Sequence, residues 1–151
     1  MIKKAAGLLV YRDMGDQVEF FLVHPGGPLN AKKDEGAWSI PKGEFDDDEN
    51  SLTAARREFE EETSFKIAGD FFELKPVKQK GGKLVYAWAV EADVDADAIK
   101  SNTFTMEWPP KSGKMAEFPE VDRASWFNVK TAKQKINPAQ AALIDELLTR
   151  I

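Results

Sequence analysis

The stretch that decides the fold is Gly43–Phe65, which reads GEFDDDENSLTAARREFEEETSF. An acidic loop, residues 43–49, leads into a segment that predicts a helix from Ser51 to about Thr63. Asn50 is the predicted N-cap, because its side chain can accept a hydrogen bond from the first turn. The sequence therefore predicts an acidic helix that begins at a defined residue.

Three glutamates share one side of this helix. At about 100° per residue, Glu58, Glu61 and Glu62 stand at i, i+3 and i+4. Like charges at this spacing repel one another by about a few tenths of a kcal/mol per pair. A divalent cation would offset the repulsion, since Mg²⁺ and Mn²⁺ prefer carboxylate and water oxygens and keep positions for substrate phosphates.

The residues around the glutamates bear on this hypothesis. Leu52 and Phe59 are expected to point toward a core. Small residues on or beside the glutamate face are expected to leave room for ions and a phosphate chain: Ser51, Ala54 and Ala55. A second interpretation stays open, because charge runs are commonly exposed. In it, Arg56 and Arg57 are partners of a solvated helix face that consists of Glu58, Glu60, Glu61 and Glu62.

The same segment resembles the Nudix box, whose pattern is G-x5-E-x7-R-E-U-x-E-E-x-G-U with U a bulky apolar residue. The residues in register are Gly43, Glu49, Arg57, Glu58, Phe59, Glu61, Glu62 and Phe65. Ser64 departs from the pattern, which has glycine at that position. Because glycine would end the helix in a left-handed conformation that serine adopts less readily, we expect a tighter or strained turn there.

The resemblance implies the Nudix fold, an α+β architecture in which a mixed β-sheet lies between helices as an α/β/α sandwich. It also implies metal-dependent hydrolysis of a pyrophosphate linkage in a nucleoside diphosphate joined to another group, with Mg²⁺ or Mn²⁺ as the cofactor. By position, Glu58, Glu61 and Glu62 would be the metal-binding carboxylates. Length and composition indicate a single domain, residues 1–151.

The resemblance assigns further roles by position. Lys42 would add its backbone carbonyl to the metal, and Arg57 would orient the glutamates through a salt bridge. Glu49 would stabilise the loop or reach the metal through water. Water activated by the cations would attack phosphorus.

The general base stays open, because it differs among Nudix subfamilies. Glu58 on the helix is one candidate. A glutamate from a later loop, Glu117 or Glu120, is the other. Each of these two loop acids could equally be a solvent-exposed surface residue.

Basic residues on segments that should border the box are candidates for phosphate binding: Arg12, Lys32, Lys33 and Lys42. Lys42 is the strongest, since residues 40–44 lead directly into the predicted site; any one of the others could be an ordinary surface charge. His24, the single histidine, ends a predicted strand. We expect a structural or solvent-facing role for it, with phosphate contact as the alternative.

Aromatic side chains offer flat faces on which a nucleobase could stack. Trp38 and Tyr86 lie within apolar strands, so they are expected in the core. Phe104 and Trp108 lie in a long excursion, residues 93–119, that is predicted to be irregular. Trp108, beside prolines, is the candidate for a flexible lid that binds substrate.

The remaining elements are predicted from alternating or continuous apolar runs. The predicted strands are Ala6–Tyr11, Val18–His24, Ala37–Ile40, Phe71–Leu74, Val77–Gln79, Leu84–Val90 and Ala124–Phe127. Residues 80–83 predict a hairpin turn. The apolar side of residues 138–151 predicts a closing amphipathic helix.

Composition excludes several function classes. The chain has no cysteine, so neither a disulfide framework nor a thiolate metal site is available. A formal net charge of −5 argues against binding of nucleic-acid polymers. No apolar run approaches the roughly 20 residues of a membrane span, so we expect a cytoplasmic protein without a membrane partner. Oligomeric state stays open.

The segment Trp38–Glu44 is similar to that of Nudix members that hydrolyse diadenosine polyphosphates or nucleoside triphosphates, which are the expected small-molecule partners. The extra motifs of coenzyme A, NADH or ADP-ribose hydrolases are not recognisable. An isomerase of isoprenoid diphosphates would need cysteine in its chemistry. A non-catalytic nucleotide-binding or regulatory module stays as the second hypothesis, although such a module has no need for every box carboxylate.

Overall fold

The computed structural model describes residues 2–151, and Met1 lies outside them. Its strands are β1 (Lys4–Asp13), β2 (Val18–Pro25), β3 (Lys42–Glu44), β4 (Phe72–Glu73), β5 (Val77–Lys78), β6 (Leu84–Glu91), β7 (Thr103–Glu107), β8 (Met115–Pro119) and β9 (Val121–Asn128). Its α-helices are α1 (Ser51–Thr63), α2 (Val129–Lys135) and α3 (Ala141–Arg150). Across this part of the chain, no helix is both long and apolar enough to cross a bilayer.

Strand β1 lies at the centre of a mixed sheet with the order β4-β6-β1-β2-β9. It runs parallel to β6, from Lys4 beside Leu84 to Tyr11 beside Glu91, and antiparallel to β2. Strand β5 adds to the edge of β6, where residues 79–83 form the predicted turn. The fold therefore combines one long parallel pair with antiparallel neighbours.

Alternate residues of β1 contribute to two hydrophobic layers, because successive side chains of a strand point to opposite faces. Ala6, Leu8 and Val10 are fully buried in a layer with Ala54, Ala55 and Phe59 of α1. Leu9 and Tyr11 pack in the opposite layer, to which α3 contributes Leu143, Ile144 and Leu147. The predicted α/β/α sandwich is confirmed.

Strands β1 and β2 diverge, and the gap between them positions the acidic segment. β1 pairs with β2 through residues 11–13, whereas residues 5–7 pair with β3. At the other side of the gap, Ser39 bridges Val23 of β2. Residues 38–44 thus run between the two strands, which places β3 beside α1.

The structure corrects two predicted elements and adds a helix. Residues 37–40 do not form a strand; Trp38 and Ser39 make isolated bridges, and pairing with β1 begins only at Lys42. The closing helix is interrupted, since residues 138–140 form a 3-10 turn before α3. Helix α2 was not predicted, because its short sequence VKTAKQK carries little apolar periodicity.

The predicted irregular excursion, residues 93–119, contains regular structure. A 3-10 turn covers Ala96–Ala98, and β7 and β8 form a separate two-stranded antiparallel sheet. The prediction was wrong because Pro109, Pro110 and Gly113 at the hairpin tip dominate the local pattern. The short alternating runs on either side of the tip are the strands.

Candidate active site

Helix α1 is fixed at its start and along its buried side. The Asn50 side chain accepts a hydrogen bond of 2.8 Å from the Thr53 amide, as predicted for an N-cap. Ala54, Ala55 and Phe59 are fully buried. The two alanines therefore pack into the core and, contrary to expectation, do not line the space beside the glutamates.

Leu52 also differs from its prediction. Its side chain is only partly buried and does not belong to either hydrophobic core of residues 2–151. Phe59 is in the core as predicted, with its ring 5.7 Å from that of Phe21. One buried aromatic and two alanines thus orient the helix, and they turn its glutamates away from the core.

These glutamates line a cleft of about 370 Å³, which we call the glutamate cleft. Its walls are Glu58, Glu61 and Glu62 of α1, Lys42–Glu44 of β3, Lys83 before β6, and Asn102 and Glu120 at the two ends of the β7–β8 hairpin. A smaller concavity of about 220 Å³ shares Lys42, Glu62 and Glu120 with it. The cleft therefore brings together segments that are far apart along the chain.

Arg57 holds three carboxylates around the mouth of this cleft. Its guanidinium donates to both oxygens of Glu49, at 3.0 and 2.9 Å. It also donates to Glu58 at 2.8 Å and to Glu61 at 3.0 Å. The bond from Arg57 lowers the pKa of Glu49 below its ordinary value. The salt bridge that was expected to orient the box glutamates is present.

Burial shifts the ionisation of groups inside the cleft. It raises the pKa of Glu62 to about 8, and the nearby charge of Glu58 adds to the rise while Lys42 opposes it. Burial likewise raises the pKa of Glu58, assisted by Glu61. The pKa of Lys42 is lowered by burial and by Lys83. Charges of both signs are thus held partly out of water, each without full compensation.

Gly43 has a steric role in the cleft. A Cβ atom built on it would lie 2.1 Å from the carboxylate of Glu58. The Glu58 carboxylate therefore lies directly against the backbone of β3. Only glycine permits this approach without displacement of the glutamate side chain.

The donor atoms of the cleft fit a hard divalent cation. They are carboxylate and backbone oxygens, which Mg²⁺ and Mn²⁺ prefer, and no softer ligand competes in a chain without cysteine. Between residues 2 and 151, no group of three acidic or histidine side chains is already arranged around a common point. Glu58 and Glu61 are instead held by hydrogen bonds from Arg57.

The other predicted site residues lie at different places. Glu120 lines the cleft, whereas Glu117 lies exposed on the outer side of β8. Arg12 lies in a different concavity, paired with Glu19 at 2.7 Å and Asp93 at 2.8 Å. The structure thus brings one of the two loop glutamates into the cleft and leaves Arg12 outside it.

Lys32 and Lys33 lie exposed in the turn that follows β2, outside the lining of the cleft. Trp108 follows the last residue of β7 and is partly buried, at the far end of the hairpin from Asn102. Of the residues predicted to bind substrate, the structure places Lys42 in the cleft.

His24 and Trp38 are structural neighbours beneath the turn that carries the two lysines. His24 is fully buried, with Nδ1 2.8 Å from Asp122 of β9 and Nε2 2.6 Å from the carbonyl oxygen of Lys33. Its ring packs edge-on to Trp38, at 5.2 Å between centroids. Burial excludes the solvent-facing alternative for His24, and Trp38 is in the core as expected.

Lys83 and Asn102 are polar cleft residues that were not predicted from the sequence. Lys83 forms an ion pair of 3.2 Å with Glu44, and its charge acts on Lys42. Asn102 joins from the segment before β7. The basic turn at residues 80–83 was a visible signal for Lys83, but its position depends on the pairing of β6 with β1, which the sequence does not reveal.

Ser64 adopts the left-handed conformation that the pattern glycine would have, with φ 68° and ψ 13°. Its amide donates to Glu60 at 2.8 Å, and its hydroxyl donates to the carbonyl oxygen of Lys100. Two backbone bonds run beside it, from Lys100 to Thr63 at 3.0 Å and from Asn102 to Glu61 at 2.8 Å. The turn is therefore strained, as expected, but it is fixed to the segment that begins the β7–β8 hairpin.

Comparisons with known proteins agree with this architecture. The family model for the NUDIX domain matches residues 1–147. A curated relative, the asymmetrical bis(5′-nucleosyl)-tetraphosphatase of Caenorhabditis elegans, is 38% identical over 64 residues, and the match spans 42% of this chain and 42% of that protein.

Solved structures resemble the whole chain. An Ap4A hydrolase from C. elegans, solved as a binary complex, has a TM-score of 0.67 at 22% identity and covers 99% of this chain and 97% of its own. The NUDIX domain of Shewanella oneidensis NrtR, complexed with ADP ribose, has a TM-score of 0.68 at 14% identity and covers 99% and 88%. These likenesses concern the fold.

Proposed function

Because the chain belongs to the NUDIX domain family, we propose that residues 1–151 form one hydrolase domain that cleaves a pyrophosphate linkage in a nucleoside diphosphate joined to another group. The observation that carries the proposal is the meeting of partly buried carboxylates and two lysines in the glutamate cleft. A cation bound by the carboxylates and a phosphate chain bound by the lysines would satisfy both sets of charges together.

The carboxylates Glu58, Glu61 and Glu62 would hold Mg²⁺ or Mn²⁺, with the backbone carbonyl of Lys42 as a further ligand. Such a cation supplies charge neutralisation on the phosphate oxygens and lowers the pKa of attacking water. Arg57 would limit the orientations available to Glu58 and Glu61, since it already bonds both. Glu49 would act through Arg57, because both of its oxygens accept from that guanidinium.

Lys42 and Lys83, which both line the cleft, would bind the phosphate chain together. Burial lowers the pKa of Lys42, and repulsion by the charge of Lys83 lowers it further. A phosphate between them relieves that repulsion, so substrate binding and lysine ionisation favour one another. Arg12, Lys32 and Lys33 would contribute to the charge around the site rather than to contacts inside it.

The general base is proposed to be Glu58 or Glu120. Both line the cleft, and the charge of Glu120 acts on Glu62. Glu117 is the weaker proposal, because it lies on β8 and is not among the residues that line the cleft. The base would take the proton from the attacking water as the bond to phosphorus forms.

The proposed substrate is a dinucleoside polyphosphate or a nucleoside triphosphate. Support comes from the partial match to the C. elegans tetraphosphatase and from the oxygen-rich, lysine-bearing cleft. The purified chain, incubated with a nucleotide panel in Mg²⁺, in Mn²⁺ and in EDTA, should release mononucleotide products only with metal. Product identity by chromatography then assigns the substrate and the phosphorus attacked.

One outcome of the same panel defeats the proposal. Binding of nucleotide by calorimetry without any hydrolysis in either metal would assign the chain to the second hypothesis, a non-catalytic binding or regulatory module.

A further inference from the structure

The β7–β8 hairpin has two chemically different faces. Residues opposite one another in an antiparallel pair share a face, so Phe104 lies beside Phe118 and Met106 beside Ala116. Trp108 continues this row past the end of β7. The apolar hairpin face therefore consists of Phe104, Met106, Trp108, Ala116 and Phe118, all partly buried, while the other face carries threonine, glutamate and exposed Met115.

The apolar hairpin face is not part of the protein's interior. None of its five side chains belongs to either hydrophobic core within residues 2–151. Its base touches the body at Gly27, where a Cβ atom would lie 2.9 Å from the ring of Phe104. The five side chains are partly exposed and adjacent on one face, so they form an apolar surface that a ligand can cover.

The position of the hairpin indicates what covers this face. The hairpin begins after Asn102 and ends before Glu120, and both of these residues line the glutamate cleft. At about 3.4 Å per residue, Phe104 and Phe118 lie roughly 7 Å along their strands from the cleft, and Trp108 roughly 20 Å. A group attached to a phosphate chain in the cleft would meet the base of this face first.

We propose that the apolar hairpin face stacks on the nucleobase of the substrate, an inference that rests on the proposed function. The face offers aromatic rings, with Phe104 and Phe118 6.1 Å apart and tilted by 41°. Aromatic side chains bind every base through its flat face. The hairpin therefore supplies the nucleoside part of recognition, and the lysines of the cleft supply the phosphate part.

Two ligands separate these parts in one experiment. Diadenosine tetraphosphate has bases and a phosphate chain, whereas inorganic tetraphosphate has only the chain and is measured as a competitive inhibitor. Phe118→Ala and Trp108→Ala are the test variants. Met115→Ala is the matched control, because Met115 is on the same hairpin but its face is opposite and it is 67% exposed.

For Phe118→Ala we expect KM for diadenosine tetraphosphate to rise about 10-fold with kcat nearly unchanged, since stacking contributes equally to substrate and transition state. The inhibition constant of inorganic tetraphosphate should stay unchanged, and Met115→Ala should move neither constant. Trp108→Ala should show the same pattern with a smaller rise. Thermal unfolding checks that each variant is folded.

Unchanged KM in both Phe118→Ala and Trp108→Ala would overturn the inference, as would an equal loss of tetraphosphate inhibition. Conversion of a dimer to a monomer by these substitutions, seen by sedimentation with KM unchanged, would instead assign the face to a second copy of the chain. Failure of the proposed function itself is distinguishable, because the unmodified protein would then hydrolyse no nucleotide.

Discussion

Helix α1 and the β7–β8 hairpin both border the glutamate cleft, but they are attached to the molecule in different ways. α1 buries Ala54, Ala55 and Phe59 in the core, so its position is set by tight packing. The hairpin has no fully buried residue along its two strands, where partly buried and exposed side chains alternate.

The two ways of attachment suit two different tasks, catalysis at phosphorus and binding of the attached organic group. Groups that act on a reacting phosphorus need positions fixed to a fraction of an ångström, which a packed helix provides. A surface that receives a variable organic group can be held more loosely. If the division is correct, substitutions on the helix and on the hairpin should separate cleanly into different kinds of effect.

The largest expected effect belongs to the helix. Glu62→Gln should lower turnover by roughly 100-fold or more, because it removes a carboxylate charge where a cation and a phosphate chain would meet. Initial rates under saturating Mg²⁺ measure the change. Glu60→Gln is the matched control, since Glu60 lies exposed on the same helix. Near-normal turnover in both Glu61→Gln and Glu62→Gln would show that these glutamates of the helix take no part in the reaction.

The next largest effect is a difference in unfolding free energy between substitutions on the helix and on the hairpin. Phe59→Ala should cost about 3–5 kcal/mol of unfolding free energy, because its ring is fully buried against Phe21. Phe118→Ala should cost less than about 1 kcal/mol, as is usual away from a packed core. Urea unfolding of both variants gives the comparison. Equal losses would mean that the hairpin is as firmly packed as the helix.

A smaller effect tests the contact between β3 and α1. Gly43→Ala should lower turnover about 10-fold or more while changing the unfolding free energy by less than about 1 kcal/mol, because the added Cβ meets only the movable end of Glu58. Backbone strain does not contribute, since Gly43 lies outside the left-handed region. Turnover and urea unfolding, both measured on one preparation of the variant, test this prediction. Unchanged turnover would show that the Glu58 position is not required.

The smallest effect concerns the turn at Ser64, where the end of the helix is bonded to the segment before the hairpin. Ser64→Gly loses the hydroxyl bond to Lys100 but relieves left-handed strain, so the net change should stay within about 1 kcal/mol. Ser64→Ala loses the bond and keeps the strain, so it should unfold at the lower temperature of the two. The reverse order in thermal unfolding would mean that strain is not stored at this residue.

The sequence predicted the helix better than the hairpin for a physical reason. Each feature of α1 is local: an N-cap at Asn50, a glutamate stripe and a partner at Arg57 all follow from helical spacing. Most strands of the main sheet also followed, because apolar runs such as Val18–His24 are long. Lys83 and Asn102 enter the cleft through strand pairing between distant segments, which spacing along the chain does not encode.

The hairpin and the alanines show a second limit. Ala54 and Ala55 were expected beside the glutamates because a helical projection gives the direction of a side chain but not how deeply it is buried. In the structure, both side chains are buried in the core. The strands of the hairpin were missed because their residues neither form a long apolar run nor pack into a core. Elements that pack loosely have weak apolar patterns in the sequence, even where they contribute to function.

The direction of α1 has a consequence for the affinity of its glutamates for cations. Glu61 and Glu62 lie in the last turn, where the aligned peptide dipoles of a helix give a partial negative charge and basic side chains are the usual occupants. Amides of Ser64, Lys100 and Asn102 bond carbonyl oxygens of that end, which satisfies them without supplying a full positive charge. The backbone of the helix therefore attracts a cation to the same place as its side chains do, by about 0.3–1 kcal/mol.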